Sequence, residues 1–346
     1  ISTLTTAEST PPLRPRIKPF AFASLVFFLS HLTILASMVI KLFPTSYRSV
    51  KELVDEVIDI RKIAPDTKMI YFQDDVFGVE MDWVREFAKE YPSNGGLPFH
   101  AQLRFEFANP KSEKCRERLE LMKKAGCTGL TLAIESSNPI VRREVLNRNM
   151  KEELMFDVLT YLNSLSYKVR TEQMLGLPYG ATSERTEVGL EADLKTLELN
   201  VKLREATGLP TMAWASIFAP YKGTKIETYC KKHGFYDGEN DDFPESFFQR
   251  SVLKFPKEWV GPSLSLEKKD LWFTREENED YKNKLQILRD FFDFFAYYPK
   301  GDSLARKILK KEGVSFKLNP EIENFSYVLN TERRRHVYDG VLYNIE

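Results

Sequence analysis

Between residues 49 and 233, short apolar or β-branched runs alternate with stretches of helical periodicity, and this alternation leaves few folds open. Five runs read as strands: Met69-Ile-Tyr-Phe72, residues 99–105, Leu130-Thr-Leu-Ala-Ile134, residues 169–175 and residues 212–218. Helices follow them at 80–91, 112–125, 139–146 with 151–165, 183–206, and 224–233. A further helix comes first. Ser49 with Glu52 three residues on forms a capping box, and Val50, Leu53, Val54, Val57 and Ile58 make one apolar face. Gly126 stops the helix that precedes it. Strand-then-helix units in series imply a parallel sheet with right-handed crossovers, hence an α/β barrel or a doubly wound sheet.

Beyond about residue 238 the alternation stops. Residues 243–265 are aromatic and proline-rich, 276–298 read as one helix, and 304–311 as another. The run Phe291, Phe292, Phe294, Phe295, Tyr297, Tyr298 is too apolar on all sides to face water, so it is expected to pack on the α/β body or a partner. The chain is therefore read as an atypical segment 1–47, an α/β body 48–237 and a mostly helical extension 238–346. Its 42% hydrophobic and 29% charged residues exclude a disordered chain, a collagen-like repeat and a polytopic membrane protein. Fifty basic residues balance fifty acidic ones, so no global field points to nucleic acid.

The first segment departs from the rest. Pro19 to Ile40 contains no Asp, Glu, Lys or Arg and follows the basic Arg14, Arg16 and Lys18. At about 1.5 Å rise per residue such a run spans a bilayer, which gives a membrane anchor through 19–43 with its N-terminus in the cytoplasm. A signal peptide is the shorter alternative, but the apolar run is long for one and no clear small-x-small site follows. A third reading is translation in the wrong frame. The chain starts at Ile1 rather than Met, which leads us to expect a natural N-terminus upstream. His31 in the run reads as incidental.

Three cysteines, Cys115, Cys127 and Cys230, are odd in number and widely spaced, unlike a disulfide framework. A reducing, cytoplasmic location fits. No CxxC or CxxxCxxC is present, so no metal ligands are assigned.

In a parallel α/β array, functional groups lie on loops leaving the C-terminal strand ends. Polar residues gather there: Asp74 and Asp75; His100, Gln102 and Arg104; Glu135, Ser136, Ser137 and Asn138; Arg170, Glu172 and Gln173, followed by Gly176-Leu177-Pro178. Asp74-Asp75 and Glu135-Ser136 also suit helix starts, and Arg104 with Glu172 a structural ion pair. Several charges inside one barrel are costly unless paired, so together they point to a polar ligand. A metal, a sugar phosphate and a nucleoside all suit such a mouth. A carboxylate-metal hydrolase using Asp74, Asp75 and Glu135 is disfavoured, because the sequence has only His31, His100, His233 and His336 to support it.

The succession Tyr71-Phe-Gln-Asp-Asp-Val-Phe77, Lys124-Ala-Gly-Cys127, Leu132-Ala-Ile-Glu-Ser136, Val145-Leu-Asn-Arg148 and Met174-Leu-Gly-Leu-Pro178 resembles the radical SAM superfamily. More narrowly it is similar to the branch in which a cobalamin-binding domain precedes the radical SAM domain. The likeness covers about residues 48–233. It implies a partial (β/α)6 TIM-like barrel and a 4Fe–4S cluster held by CxxxCxxC after the first strand. In that family the cluster reductively cleaves S-adenosylmethionine (SAM) to a 5′-deoxyadenosyl radical that activates a substrate C–H bond. An electron donor such as a flavodoxin or ferredoxin, and cobalamin, come with the same resemblance. Carried over by position, Asp74 and Asp75 meet the SAM amino group, Glu135 with Ser136 its ribose or methionine part, and Arg148 its carboxylate. Leu175, Gly176 and Leu177 lie near adenine, and Arg104 and Glu172 contact SAM or substrate. No catalytic residue is assigned, the substrate is open, and C-methylation, ring formation and methylthiolation are all compatible.

The cluster motif is the departure. No cysteine precedes Cys115, and Cys127 matches a position that is structural in the family. As it stands the chain is expected to be inactive. Leu35-Ala-Ser-Met-Val39 can be encoded so that the neighbouring frame spells Cys-Phe-Asn-Gly, similar to the family's residues just after the last cluster cysteine, which gives the wrong-frame reading its substance. The rival is a membrane-anchored, cluster-free barrel that binds a nucleoside-like ligand or a protein partner.

Overall fold

The computed structural model describes residues 48–182, 187–238, 250–261 and 269–311. The chain divides into Ile1–Ser46 and Tyr47–Glu346, and all described residues belong to the second unit. The apolar run 19–40, with the anchor, signal-peptide and frame readings built on it, lies outside them, as do His31 and His336. No helix among the described residues is long and apolar enough to cross a membrane.

Five parallel strands form one sheet in chain order, β1 (Ile70–Tyr71), β2 (Phe99–Leu103), β3 (Cys127–Glu135), β4 (Lys168–Leu175) and β5 (Met212–Ile217). This is the parallel α/β sheet that the alternation predicts, in the half-barrel form that the resemblance implies, with five strands among the described residues. Helix α1 (Val50–Ile63) precedes the sheet; α2 (Met81–Ser93), α3 (Glu113–Lys124), α4 (Pro139–Glu144), α5 (Glu152–Ser164), α6 (Leu190–Thr207) and α7 (Lys225–Lys232) follow successive strands. The expected capping box forms at α1, where Ser49 Oγ accepts the Glu52 N–H and the Glu52 carboxylate accepts the Ser49 N–H.

Strands in such a sheet are usually apolar on both faces. Here β4 is not. Val169, Thr171, Gln173 and Leu175 are buried, while Lys168, Arg170, Glu172 and Met174 on the other face are half-buried. The two-residue period thus leaves one face of the sheet polar and incompletely covered. Helices seal the other: Phe72, Phe77, Phe87, Tyr91 and Phe99 form a packed aromatic cluster, with Phe87 and Tyr91 stacked at 4.7 Å.

The C-terminal extension is packed onto the body through α8 (Arg275–Asp290), α9 (Phe292–Tyr297) and α10 (Gly301–Leu309). The single helix expected over 276–298 is broken at Phe291, whose φ of −108° and ψ of 11° leave the helical region. Beyond the break, Asp293 Oδ1 accepts the Ala213 N–H of β5 at 2.8 Å. The aromatic run is also less buried than its composition predicts. Phe292 and Phe295 are buried, but Tyr297 and Tyr298 are exposed, and the Arg204 guanidinium lies 4.1 Å above the Tyr297 ring. Phenolic oxygens and a cation over the ring make that exposure tolerable.

Candidate functional site

The end of β3 is the best-defined part of the mouth. Register slips between Ala133 and Glu135, and Glu135 takes a left-handed φ of 66°. A bulge of this kind re-aims a side chain at a strand end. The Glu135 side chain is 14% exposed, and its Oε1 lies 3.1 Å from the Arg148 guanidinium. Burial pushes its carboxyl above the ordinary range; Arg148 and Arg104 pull it down, and the Glu172 carboxylate pushes it up. Arg148, Arg104 and Glu172 therefore all lie within electrostatic reach of Glu135.

The loop carrying Arg148 is built from inside. Arg142 is buried and donates to the carbonyls of Ser136 at 2.5 Å and Met150 at 3.2 Å, while its own carbonyl accepts the Arg148 N–H. Arg148 also donates to the Ala133 carbonyl at 3.3 Å. Ser136 is buried, and its Oγ accepts the Asn138 N–H; Asn138 caps α4 by accepting from Ile140 and Val141. The helix start that the sequence allowed at Glu135-Ser136 is instead made by Asn138, with Ser136 holding the Asn138 N–H.

Glu172 pairs with Arg170 on its own strand rather than with Arg104. Arg170 lies between the rings of Tyr71 at 5.5 Å and Trp214 at 4.9 Å. His100 is buried, stacked on Tyr71 at 4.6 Å, with Nε2 2.7 Å from Thr131 Oγ1. Burial and the Arg170 charge push its pKa down to about 3, so the ring is neutral. Gln173 does not reach the mouth: it faces α6, donating to the Trp214 carbonyl and accepting from Asn200.

Asp74 and Asp75 sit on the loop after β1, which is tied to β2 by the Phe77 N–H on the Gln102 carbonyl. Both are exposed, yet enough protein flanks the Asp74 carboxyl to raise its pKa, with Asp75 adding to the effect. At the end of β4, Leu175 is fully buried on the helix side of the sheet, while Gly176 and Leu177 turn at the strand end. The structure gathers Arg104, Glu135, Arg148 and Glu172, places the two aspartates on the neighbouring loop beyond β1, and sends Leu175 into the core.

Two residues of the site have no signal in the sequence. Asp193 on α6 accepts the Gly176 N–H at 2.8 Å, and Tyr281 on α8 donates to the same carboxylate at 2.5 Å. Both lie on helices, remote in sequence from any strand end.

The implied cluster finds no donors. Cys115 on α3 donates to the Glu106 carbonyl, Cys127 on β3 to the Gly129 carbonyl, and Cys230 is buried on α7. Among the described residues, no three His, Cys, Asp or Glu side chains could together hold a metal ion. The three thiols do not fit a 4Fe–4S cluster. The mouth does fit SAM in kind: carboxylates that accept from an ammonium and ribose hydroxyls, and guanidinium groups for a carboxylate.

No family model matches this sequence. The cytidylyl-2-hydroxyethylphosphonate methyltransferase of Streptomyces wedmorensis is 26% identical over 226 residues, which are 63% of this chain and 38% of that protein. A β-glucuronidase of Formosa agariphila is 22% identical over 174 residues, 47% of this chain and 17% of that protein. A solved structure of the radical SAM methyltransferase TsrM from Kitasatospora setae, with cobalamin and a 4Fe–4S cluster bound, is 15% identical, covers 75% of this chain and 56% of that one, and superposes with a TM-score of 0.41.

Fold and mouth define a parallel α/β half-barrel of the kind that presents a polar ligand site at its strand ends. Within that class, the five sequence motifs from Tyr71 to Pro178 are what the chain shares in kind with the radical SAM superfamily of enzymes.

Proposed function

We propose that this chain is the SAM-binding barrel of a radical SAM protein, and that with its cysteines where they stand it holds SAM without assembling the cluster that would cleave it. The observation that carries this reading is Glu135, a half-buried carboxylate aimed by a bulge and a left-handed backbone at a cluster of guanidinium groups. Such backbone is costly for a side-chain-bearing residue and is kept where the side chain has work to do.

In this reading Asp74 and Asp75 accept from the SAM ammonium. Glu135 accepts from the ribose hydroxyls, with Ser136 behind it holding the loop. Arg148, oriented by Glu135, presents its remaining donors to the methionine carboxylate, while Gly176 and Leu177 flank adenine. Arg104 and Glu172 face the same space. The chain spans only part of its relatives, and we assign the whole protein to methyl transfer because the S. wedmorensis relative carries that name. Cobalamin would belong to a separate domain. A flavodoxin or ferredoxin donor would find no acceptor here, and a cytoplasmic setting suits the free thiols.

Titration calorimetry with SAM tests the site. Glu135→Gln and Asp75→Ala should each weaken binding by about tenfold, the loss of one charge-assisted hydrogen bond. A wild-type chain that ignores SAM, or two variants that bind it unchanged, would sink the assignment.

A further inference from the structure

We infer that Asp193 is a positioning residue for the candidate site, through which the C-terminal helix α8 sets the conformation of the Gly176–Leu177 turn. The inference rests on reading that turn as one wall of the SAM site.

Asp193 lies in the first turn of α6 and is 6% exposed. Its two oxygens take one donor each, the Gly176 N–H from the end of β4 and the Tyr281 O–H from α8. The three residues come from three elements, and the carboxylate is the junction between them. Once ionised, the carboxylate accepts from both donors and donates to neither. An amide would have to turn its NH2 toward one of them.

The turn is also shaped by packing. Gly176 has a φ of 69°, and a Cβ there would lie 2.7 Å from Leu285 Cδ2 and 3.4 Å from Phe255 Cζ. Tyr281 and Leu285 are four residues apart and so share one face of α8. That face holds the turn twice, by a hydrogen bond relayed through Asp193 and by direct contact with Gly176. On the far side of the turn, Tyr179 accepts the Gly189 N–H, and its carbonyl accepts from Tyr229.

Ser136 and Leu177, both assigned to the site, line one cavity of about 10 Å³ together with Asp193, Thr196 and Tyr281. A space of that size has room for about one water at most, so a shift of the carboxylate is passed to the residues around it. The helical extension is in this sense part of the site.

Hydrogen exchange across residues 174–181, measured beside SAM calorimetry, tests the clamp. In Asp193→Ala the Gly176 amide should exchange at least about tenfold faster and SAM affinity should fall about tenfold, with β2 exchange unchanged. Asp193→Asn keeps an acceptor for Gly176 and should restore most of both. Tyr281→Phe removes only one donor and should give a smaller change of the same sign; it decides the matter where the alanine variant does not fold. Unchanged exchange in the turn overturns the proposal, and so does faster exchange with SAM affinity intact. A wild-type protein that binds no SAM refutes the ligand reading alone; turn exchange then decides the clamp, with faster exchange keeping it and unchanged exchange ending it.

Discussion

Two carboxylates shielded from solvent, Glu135 in part and Asp193 almost wholly, show how differently one chemical group is held. Glu135 faces guanidinium groups, whereas Asp193 is held only by neutral donors. For Asp193 burial outweighs those two hydrogen bonds, and its pKa is pushed up to about 6 from the ordinary 3.8. A carboxyl whose folded pKa is raised binds its proton more tightly in the fold. Its contribution to stability is complete below the ordinary value and is lost as pH rises through about 6. Asp193→Asn cannot ionise, so urea unfolding should show the variant gaining on the wild type by about 2 kcal/mol between about pH 4 and pH 8. A gap that stays constant with pH would show that Asp193 does not titrate there. Glu135 and Arg148 were legible because they stand at a strand end and in a motif. Asp193 was not: with Thr196 and Asn200 it forms a polar stripe on the buried face of α6, where a reading by hydrophobic period expects water.

At the scale of elements, the five strands and their helices were legible because each strand is a short apolar run bounded by a turn. Their ends were less so. The sequence predicts strand through residue 105, but β2 ends at Leu103 and Phe105–Ala108 forms a 3-10 turn. The buried Arg118 binds that turn by donating to the Phe107 carbonyl at 3.1 Å and reaches Gly78 and Val79 across the fold, a tertiary cause with no local trace. The predicted helix from residue 183 is described from Leu190, where Gly189 with a φ of 60° sets its start. Helix α8 begins at a capping box in which Thr274 Oγ1 accepts the Glu277 N–H. Thr274→Ala should cost about 1 kcal/mol of stability by urea unfolding and speed exchange in the first turns of α8, the turns that carry Tyr281. A stability loss without faster exchange there would place the effect elsewhere.

For the whole molecule, the cysteines make a plain forecast. All three are buried, and burial holds the Cys127 thiol well above its usual range and pushes Cys230 up to about 12. A thiol reagent should leave the native chain essentially untouched and titrate three groups after denaturation, and anaerobic iron and sulfide should add no visible cluster band. Rapid native labelling, or a cluster spectrum, would contradict the packing described. The overall architecture was readable because strand order follows chain order. The role of the helical extension was not, since it packs through an apolar surface but is joined to the sheet and the strand-end turn by single polar contacts with no local signal. Asp293 is one of these, and its place on the first residues of β5 has a consequence for behaviour in concentrated solution. An open strand edge is a template for a strand from another molecule, which pairs with just such amides. With a carboxylate already seated on the Ala213 amide, an arriving strand meets negative charge and a donor in use. Growth of the sheet by strand addition, a common route from exposed β edges to aggregates, is opposed at that point.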